Sequence, residues 1–381
     1  MKILFVIDKM QNYAGIERIL SCKMNYISEQ TPNNVFLTTY DQQSKDLPFL
    51  LNKDISYIPI HVPIPLRDKM TFHCWLKAYF QARSQFKYEF RDLLKTLRPD
   101  IVICTVYSFQ VLDIIINICH KQGIKIIMES HTKGETVMMA NKFYYNRYLH
   151  KLILLWDHHI MKSLHHCTCV VTLTRQDVPF WQRYTQRIEV IPNMLTITPK
   201  MVLDYGAKRV ISAGRYMSEK GFDRLLKAWD LIIKKQRDWE LYIFGNGDTK
   251  PYQEIANQLH LGESVHFMPA TENIAEEFAK SSIYIMSSRY EGFGLVLAEA
   301  MSCGLPCVSF DCPYGPREII TDGEDGLLAE DGIIEELAKK LEQLMSNEEL
   351  RIKMGAKAIQ NISRYKPDRI MVQWINLFNS I

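Results

Sequence analysis

Ile283-Tyr284-Ile285-Met286-Ser287-Ser288-Arg289-Tyr290-Glu291-Gly292-Phe293-Gly294-Leu295-Val296-Leu297-Ala298-Glu299-Ala300-Met301 reads as strand, loop and helix in one pass. The short apolar run Ile283–Met286 suits a strand covered on both faces. Gly292 and Gly294 expose backbone N–H groups where a helix starts near Gly294, which makes a cradle for an anion. Glu299 then interrupts an apolar helix face. An unpaired buried carboxylate is costly, so Glu299 needs a partner: vicinal hydroxyls such as those of a ribose, or a structural salt bridge. Glu291, at the carboxyl end of the strand, could grip a sugar hydroxyl or stabilise positive charge.

The same grammar extends in both directions. In the first half, strands are expected at Lys2–Ile7, Val35–Thr39, Ile55–Ile60, Ile101–Cys104, Ile124–Met128, Cys169–Leu173 and Ile188–Ile191, with helices from about Ile16 and near 72–97, 107–121, 143–166 and 175–184. In the second half, strands are expected at Arg209–Ser212, Leu241–Phe244, Val265–Met268, Ile283–Met286, Pro306–Ser309 and Gly326–Leu328. Helices are expected over Phe222–Lys235 and near 294–303, 331–345, 347–363 and 368–380. Alternating strands and helices predict an α/β fold with right-handed crossovers. The stretch Met194–Tyr205 reads as a linker. The chain therefore reads as two doubly wound domains: 1–195, with the final helix (367–381) packing back onto it, and 196–366. Ligands of such sheets bind outside the carboxyl ends of the strands, and a cleft between two such domains is the expected site.

A hydrophobic fraction of 47% over 381 residues excludes a mostly disordered chain. No apolar run approaches the ~20 residues that span a bilayer. Met1–Asp8 is too short for a signal-peptide core, so a cytoplasmic location is expected. Nine cysteines form no paired CxxC pattern, so free thiols are expected and no metal site. The net charge of +3 conceals a split: residues 1–200 carry +9 and residues 201–381 carry −6. Such an asymmetry suggests different partners for the two halves, although surfaces also simply vary.

Four further clusters lie at strand-to-helix turns. Ala213-Gly214-Arg215-Tyr216-Met217-Ser218-Glu219-Lys220-Gly221 puts two cations, Arg215 and Lys220, beside a helix N-terminus, where a diphosphate is the natural guest. Gly245, in Phe244-Gly245-Asn246-Gly247-Asp248, could let a ligand approach the backbone, or could belong to a plain turn. His131, in Met128-Glu129-Ser130-His131-Thr132, could face the cleft and serve a hydroxyl or a developing alkoxide, or could be a satisfied loop histidine. Gly15, in Tyr13-Ala14-Gly15-Ile16-Glu17-Arg18, could bring N–H groups against a phosphate or sugar.

In this order the clusters resemble the retaining glycosyltransferases of family 4, which have the GT-B fold. The E-x7-E pattern appears as Glu291 and Glu299, and the GR…KG pattern as Gly214-Arg215 and Lys220-Gly221. Ile191-Pro192-Asn193 and the run Cys312–Ile320, followed by Asp322-Gly323 and Asp325-Gly326-Leu327-Leu328, complete the likeness. The resemblance implies that Arg215 and Lys220 hold a donor diphosphate, that Glu299 binds ribose hydroxyls, and that Glu291 binds the transferred sugar with N–H groups of Gly292, Phe293 and Gly294. It also implies that Leu295 and Val296 N–H groups meet the diphosphate, that His131 contacts the donor sugar near its anomeric centre, and that the Gly15 loop closes over it. Ala14 departs from the usual Gly-Gly of that loop. No metal or other cofactor is implied; the nucleotide sugar, with a lean to UDP, is a co-substrate.

The expected reaction is transfer of a hexosyl or N-acetylhexosaminyl group to a glycan acceptor, lipid-linked, in bacterial-type surface polysaccharide synthesis. Residues 66–98 carry Arg67, Lys69, Lys77, Arg83, Lys87, Arg91, Lys95 and Arg98 among Phe72, Trp75, Tyr79 and Phe80. The next basic stretch adds Lys142, Arg147, Lys151 and Lys162 to an apolar Leu152–Trp156 run. Such a surface could lie on anionic lipid at the inner face of the cell membrane, or could be a solvated face over a core. A sugar-nucleotide epimerase or hydrolase of the same fold is the competing enzyme reading, and a non-catalytic sugar-nucleotide-binding protein the other. Nucleic acid is disfavoured, because no recognition motif accompanies the basic residues.

Overall fold

The apolar runs form two all-parallel sheets, in a computed structural model that describes residues 1–11, 15–42, 47–65, 71–105, 111–137, 147–197 and 203–381. The chain divides into unit 1, Met1–Pro192 with Ile370–Ile381, and unit 2, Asn193–Arg369.

Unit 1 has strands β1 (Lys2–Ile7), β2 (Asn34–Thr39), β3 (Ser56–Tyr57), β4 (Ile101–Thr105), β5 (Lys125–Ser130), β6 (Cys169–Thr172) and β7 (Ile188–Val190), in the order β3-β2-β1-β4-β5-β6-β7. Its helices are α1 (Gly15–Gln30), α2 (Phe72–Leu97), α3 (Leu112–Lys121), α4 (Arg147–Lys162) and α5 (Val178–Trp181). Every residue from Ile3 to Ile7 and from Ile101 to Thr105 is buried, as parallel strands covered on both faces require. Phe86, Phe90, Leu94 and Trp181 are among the side chains that fill this core.

Unit 2 has β8 (Arg209–Ala213), β9 (Glu240–Gly245), β10 (Val265–Pro269), β11 (Ile283–Met286), β12 (Cys307–Phe310) and β13 (Gly326–Ala329), in the order β10-β9-β8-β11-β12-β13. The helices between and after them are α6 (Phe222–Ile233), α7 (Lys250–Gln258), α8 (Ile274–Ala279), α9 (Leu295–Ser302), α10 (Pro316–Ile319), α11 (Ile334–Met345) and α12 (Glu348–Ile362). The last helix is α13 (Pro367–Asn379), most of which counts with unit 1. Trp229, Phe222 and Phe310 anchor the unit 2 core. In each sheet the strand order reverses beside its first strand, between β1 and β4 and between β8 and β11. These are the switch points outside which doubly wound sheets bind ligands.

Several expected elements change at their ends. The strand expected over Ile55–Ile60 shrinks to Ser56–Tyr57 because Pro59 has no N–H for the ladder, although Ile58 and Ile60 still donate to Leu37 and Thr39 carbonyls at 2.8 and 2.7 Å. The helix expected near 175–184 splits into a 3-10 turn, Arg175–Asp177, and the single turn of α5. Helices α7, α8 and α10 are additions to the expected set. Residues 107–110 and 143–146 of the expected helices, residues 198–202 of the linker, and Ala14, Arg67, Lys69 and Lys142 lie outside the described residues.

The glycine at the end of β9 has a packing reason. A Cβ on Gly245 would stand 1.9 Å from the Gly214 carbonyl oxygen, and Gly214 N–H already donates to the Phe244 carbonyl at 2.9 Å. The ends of β8 and β9 therefore touch backbone to backbone, which explains Gly245 without a ligand. Gly245→Ala should cost unit 2 about 2 kcal/mol or more, read as a lower urea midpoint.

Candidate functional site

The carboxyl ends of β8 and β11 flank the unit 2 switch point, and the loops that leave them carry most of the expected site. After β8, Arg215 is 65% exposed at its side chain, with Nη2 3.3 Å from Glu219 Oε1. Lys220 closes a 3-10 turn, Ser218–Lys220, and is only 20% exposed. Its stem lies against Gly214, where a Cβ would come within 3.1 Å. The next residue, Gly221, starts α6 with φ 63°, and a Cβ there would stand 2.1 Å from the Ser287 carbonyl oxygen. Only glycine fits that approach.

After β11, Ser287 Oγ donates to the Lys220 carbonyl at 2.9 Å and Arg289 N–H donates to the Glu219 carbonyl at 2.8 Å. Arg289 Nη1 donates to Ser218 O at 2.7 Å and to Asp223 Oδ1 at 2.8 Å, while Nη2 donates to Asp223 Oδ2 at 2.7 Å. That fork holds the Asp223 carboxyl below its ordinary range. The two loops are thus strapped together. Glu291 comes out of this strap with its side chain 11% exposed; its Oε1 accepts from Lys220 Nζ at 2.7 Å and from Ser288 Oγ at 2.5 Å.

The glycine loop is fixed from the other side. Glu291 N–H donates to Pro313 O at 3.2 Å, and a Cβ on Gly315 would stand 2.1 Å from the Phe293 carbonyl oxygen. Phe293 is buried edge-on against Tyr365, ring centroids 5.2 Å apart. Gly294 caps α9 with φ 92°, and the N–H groups of Leu295 and Val296 in its first turn have no intrahelical acceptor. Glu299 is buried and accepts a hydrogen bond from Thr196 Oγ1. Arg215, Lys220, Glu291, Gly292, Phe293, Gly294, Leu295 and Val296 therefore belong to neighbouring loops of one unit, and Gly214 belongs to the same turn.

His131 and Gly15 lie in unit 1. Gly15 opens α1, and the three residues before it are outside the described set. His131 is 6% exposed; its Nε2 lies 3.2 Å from Glu129 Oε1 without hydrogen-bond alignment, and neither ring nitrogen has a hydrogen-bond partner among the described residues. Glu129 is also paired with the buried Lys23 of α1, and Thr105 Oγ1 reaches its other oxygen at 3.4 Å. Lys23 Nζ lies 3.9 Å from the ring centre of Trp374 on α13. Burial pushes the Glu129 carboxyl up, but the Lys23 ammonium and His131 outweigh it and hold it at about 2; burial pushes Lys23 down.

Glu129, Ser288, Arg289 and Asp223 were missed as site residues. A charge closing an apolar strand, as in Met128-Glu129, was the available signal for the first. Asp8 closes β1 in the same way, and burial raises it to about 6. The basic face of unit 1 is smaller than expected. Arg83 is buried, bonded to Asp113 at 2.6 Å and stacked over Trp156, and Trp75 and Tyr79 are core residues. Lys77, Lys87, Arg91, Lys95 and Arg98 of that stretch remain exposed. All nine cysteines are free thiols. No helix among the described residues is long and apolar enough to cross a membrane.

Breaking the Lys23–Glu129 pair leaves a buried ammonium uncompensated, so Glu129→Gln should cost about 3 kcal/mol. The wild-type carboxyl titrates lower folded than unfolded. Its contribution is complete above its ordinary value of 4.5 and is lost as pH falls toward about 2. Urea midpoints taken from pH 5 down to pH 2.5 should fall more steeply for wild type than for Glu129→Gln.

Residues 196–361 match the family described as glycosyl transferases group 1. The chain is 36% identical over 239 residues to an uncharacterized glycosyltransferase of Haemophilus influenzae, covering 58% of this chain and 68% of that one. It is 27% identical over 390 residues to the amylovoran biosynthesis glycosyltransferase AmsD of Erwinia amylovora, covering 99% of each. The solved sucrose-phosphate synthase of Thermosynechococcus elongatus matches with a TM-score of 0.79 at 15% identity, over 100% of this chain and 98% of that one. That likeness speaks for the fold alone, two Rossmann-like α/β domains of the GT-B type. With its strapped site loops and its relative from Haemophilus influenzae, the chain belongs to the group 1 glycosyltransferases.

Proposed function

We propose that this glycosyltransferase moves a hexosyl or N-acetylhexosaminyl group, with retention, from a UDP-sugar to a lipid-linked glycan in bacterial surface polysaccharide synthesis. The observation that carries the reading is the pair of loops at the β8/β11 switch point, where Arg215, Lys220, Glu291 and the start of α9 converge. Two cations and helix N–H groups without intrahelical acceptors suit a departing nucleoside diphosphate, and supply the charge stabilisation that a metal ion supplies elsewhere. Glu299 is offered the ribose hydroxyls, and Glu291 the hydroxyls of the transferred sugar. His131, whose ring nitrogens lack hydrogen bonds among the described residues, is offered the sugar near its anomeric carbon.

Retention is assigned to a front-face route. The bond from the anomeric carbon to the diphosphate oxygen breaks, the acceptor oxygen bonds to the same face, and its proton passes to the departing phosphate. Arg215 and Lys220 stabilise the charge that builds on the leaving group. The relative from Erwinia amylovora, named for amylovoran biosynthesis, and the quoted Cys312–Ile320 run support the donor and acceptor classes.

The acceptor is assigned to unit 1. On α4 the exposed Leu154 and Leu155 stand among exposed Lys151, His158, His159 and Lys162, and α2 exposes Phe80 and Tyr88. Such a face suits an anionic lipid surface, each cation near it contributing about 1 kcal/mol.

Arg215→Ala and Lys220→Ala should each lower kcat about 100-fold or more, since losing a pre-organised charge donor costs ~3 kcal/mol of barrier. Nucleotide release from a donor panel with lipid-linked acceptors reads this, and wild-type turnover in either variant overturns it. Flotation with anionic vesicles should recover the protein at low salt and lose it at high salt. Leu155→Asp should weaken the recovery, and salt-independent behaviour would count against the lipid contact.

A further inference from the structure

We propose that Ser288 is a positioning residue that fixes which oxygen of Glu291 meets the donor sugar; this rests on the sugar-binding role proposed for Glu291. Ser288 is 2% exposed, two residues beyond the end of β11 and three before Glu291. Its Oγ donates to Glu291 Oε1 at 2.5 Å, and Lys220 Nζ donates to that same oxygen at 2.7 Å. Among the described residues no donor serves Oε2. An ionised carboxylate only accepts, through two oxygens with about four lone-pair sites. With both protein donors gathered on Oε1, Oε2 is the oxygen left for a hydroxyl of the substrate.

The two donors are not equivalent. Lys220 is an ammonium on a long side chain with a second call on it, because a diphosphate arriving at the switch point draws the same charge. Ser288 is a short buried side chain next to Ser287, whose own hydroxyl is committed to the Lys220 carbonyl at 2.9 Å. When Lys220 turns to the diphosphate, Ser288 is the donor that keeps Glu291 from rotating about its terminal bond. Its contribution is therefore expected in the loaded enzyme, at the sugar. Nucleotide affinity, which the diphosphate and ribose contacts carry, should not depend on it. A residue that only supported the fold would act through stability and would not separate these quantities.

The test is a double-mutant cycle on the full chain, with Ser288→Ala, Glu291→Gln and the pair, read as UDP release from whichever UDP-hexose or UDP-N-acetylhexosamine wild type turns over. Ser288→Ala should lower kcat about tenfold, the scale of one hydrogen bond to a charged group, while donor KM and the UDP Kd from calorimetry stay within about twofold. Ser288→Thr should restore kcat to within about threefold, because the hydroxyl is kept. In the Glu291→Gln background Ser288→Ala should cost nothing further. Should the alanine variant fail to fold, Ser288→Cys, with similar volume and a weaker donor, carries the same expectation. An unchanged kcat, an additive loss in the Glu291→Gln background, or a fall in UDP affinity would overturn the proposal while leaving the transferase reading standing. Wild type that releases UDP from no donor would overturn both.

Discussion

The guanidinium of Arg289 closes on the Asp223 carboxylate with two parallel N–H bonds, at 2.8 and 2.7 Å, and the unit 2 site depends on that fork. The loops after β8 and β11 belong to separate crossovers, and strand pairing stops before their tips. A lone surface ion pair would hold them weakly. Here the fork is planar and bidentate, the geometry in which Arg and a carboxylate bind best. It is also backed by three bonds between backbone and loop: Arg289 to the Ser218 carbonyl, Arg289 N–H to the Glu219 carbonyl, and Ser287 Oγ to the Lys220 carbonyl. Gly221 lets the chains approach closely enough for all of them, since any Cβ would meet the Ser287 carbonyl. Glu291 and Lys220 are held 2.7 Å apart because their backbones are tied first.

Unit 1 uses a different constraint. Lys23, Glu129 and His131 are buried together, and a buried ion pair is by itself weak evidence of stability. Its value lies in what it orients. Glu129 takes Lys23 from α1 and Thr105 from the end of β4, while Lys23 also faces the Trp374 ring on α13. An ammonium against an indole face is attracted by the ring quadrupole. Four separate elements therefore agree on one polar point, directly beside the histidine that the sequence singles out.

The strands and most helices were legible because parallel strands buried on both faces appear as unbroken apolar runs, and long amphipathic helices as a 3.6-residue period. What escaped had little periodicity to offer. Helix α8 is six residues long, α7 begins Lys250-Pro251 in a polar stretch, and Pro59 ends a run that otherwise looks like a full strand. The site residues fall into the same two classes. Arg215, Lys220 and Glu291 stand in local patterns at strand ends, and Glu299 in the apolar face of the helix that follows. The pairings do not show locally: Lys23 and Glu129 are 106 positions apart, Lys220 and Glu291 71, Arg289 and Asp223 66. Arg83 erred the other way. Its position among lysines and arginines reads as surface, and only the fold places Asp113 and Trp156 around it.

Those pairings also sharpen the charge asymmetry. The second half of the chain is acidic, yet on the proposed reading it must receive a diphosphate. The two cations assigned to it already have carboxylate partners, Arg215 with Glu219 and Lys220 with Glu291, so the site holds two ion pairs. The pairs differ in strength. Arg215 is mostly solvated, so its bond to Glu219 is weak and readily exchanged for a phosphate oxygen. Lys220 is largely buried, so its bond to Glu291 is screened less and fixes geometry. On the proposed reading a diphosphate meets Arg215 as a solvated, readily exchanged charge and Lys220 as a charge already held at the site by Glu291. On the same reading the carboxylate that Lys220 gives up is the one offered to the sugar, and that links binding at the phosphate to binding at the sugar through a single ammonium.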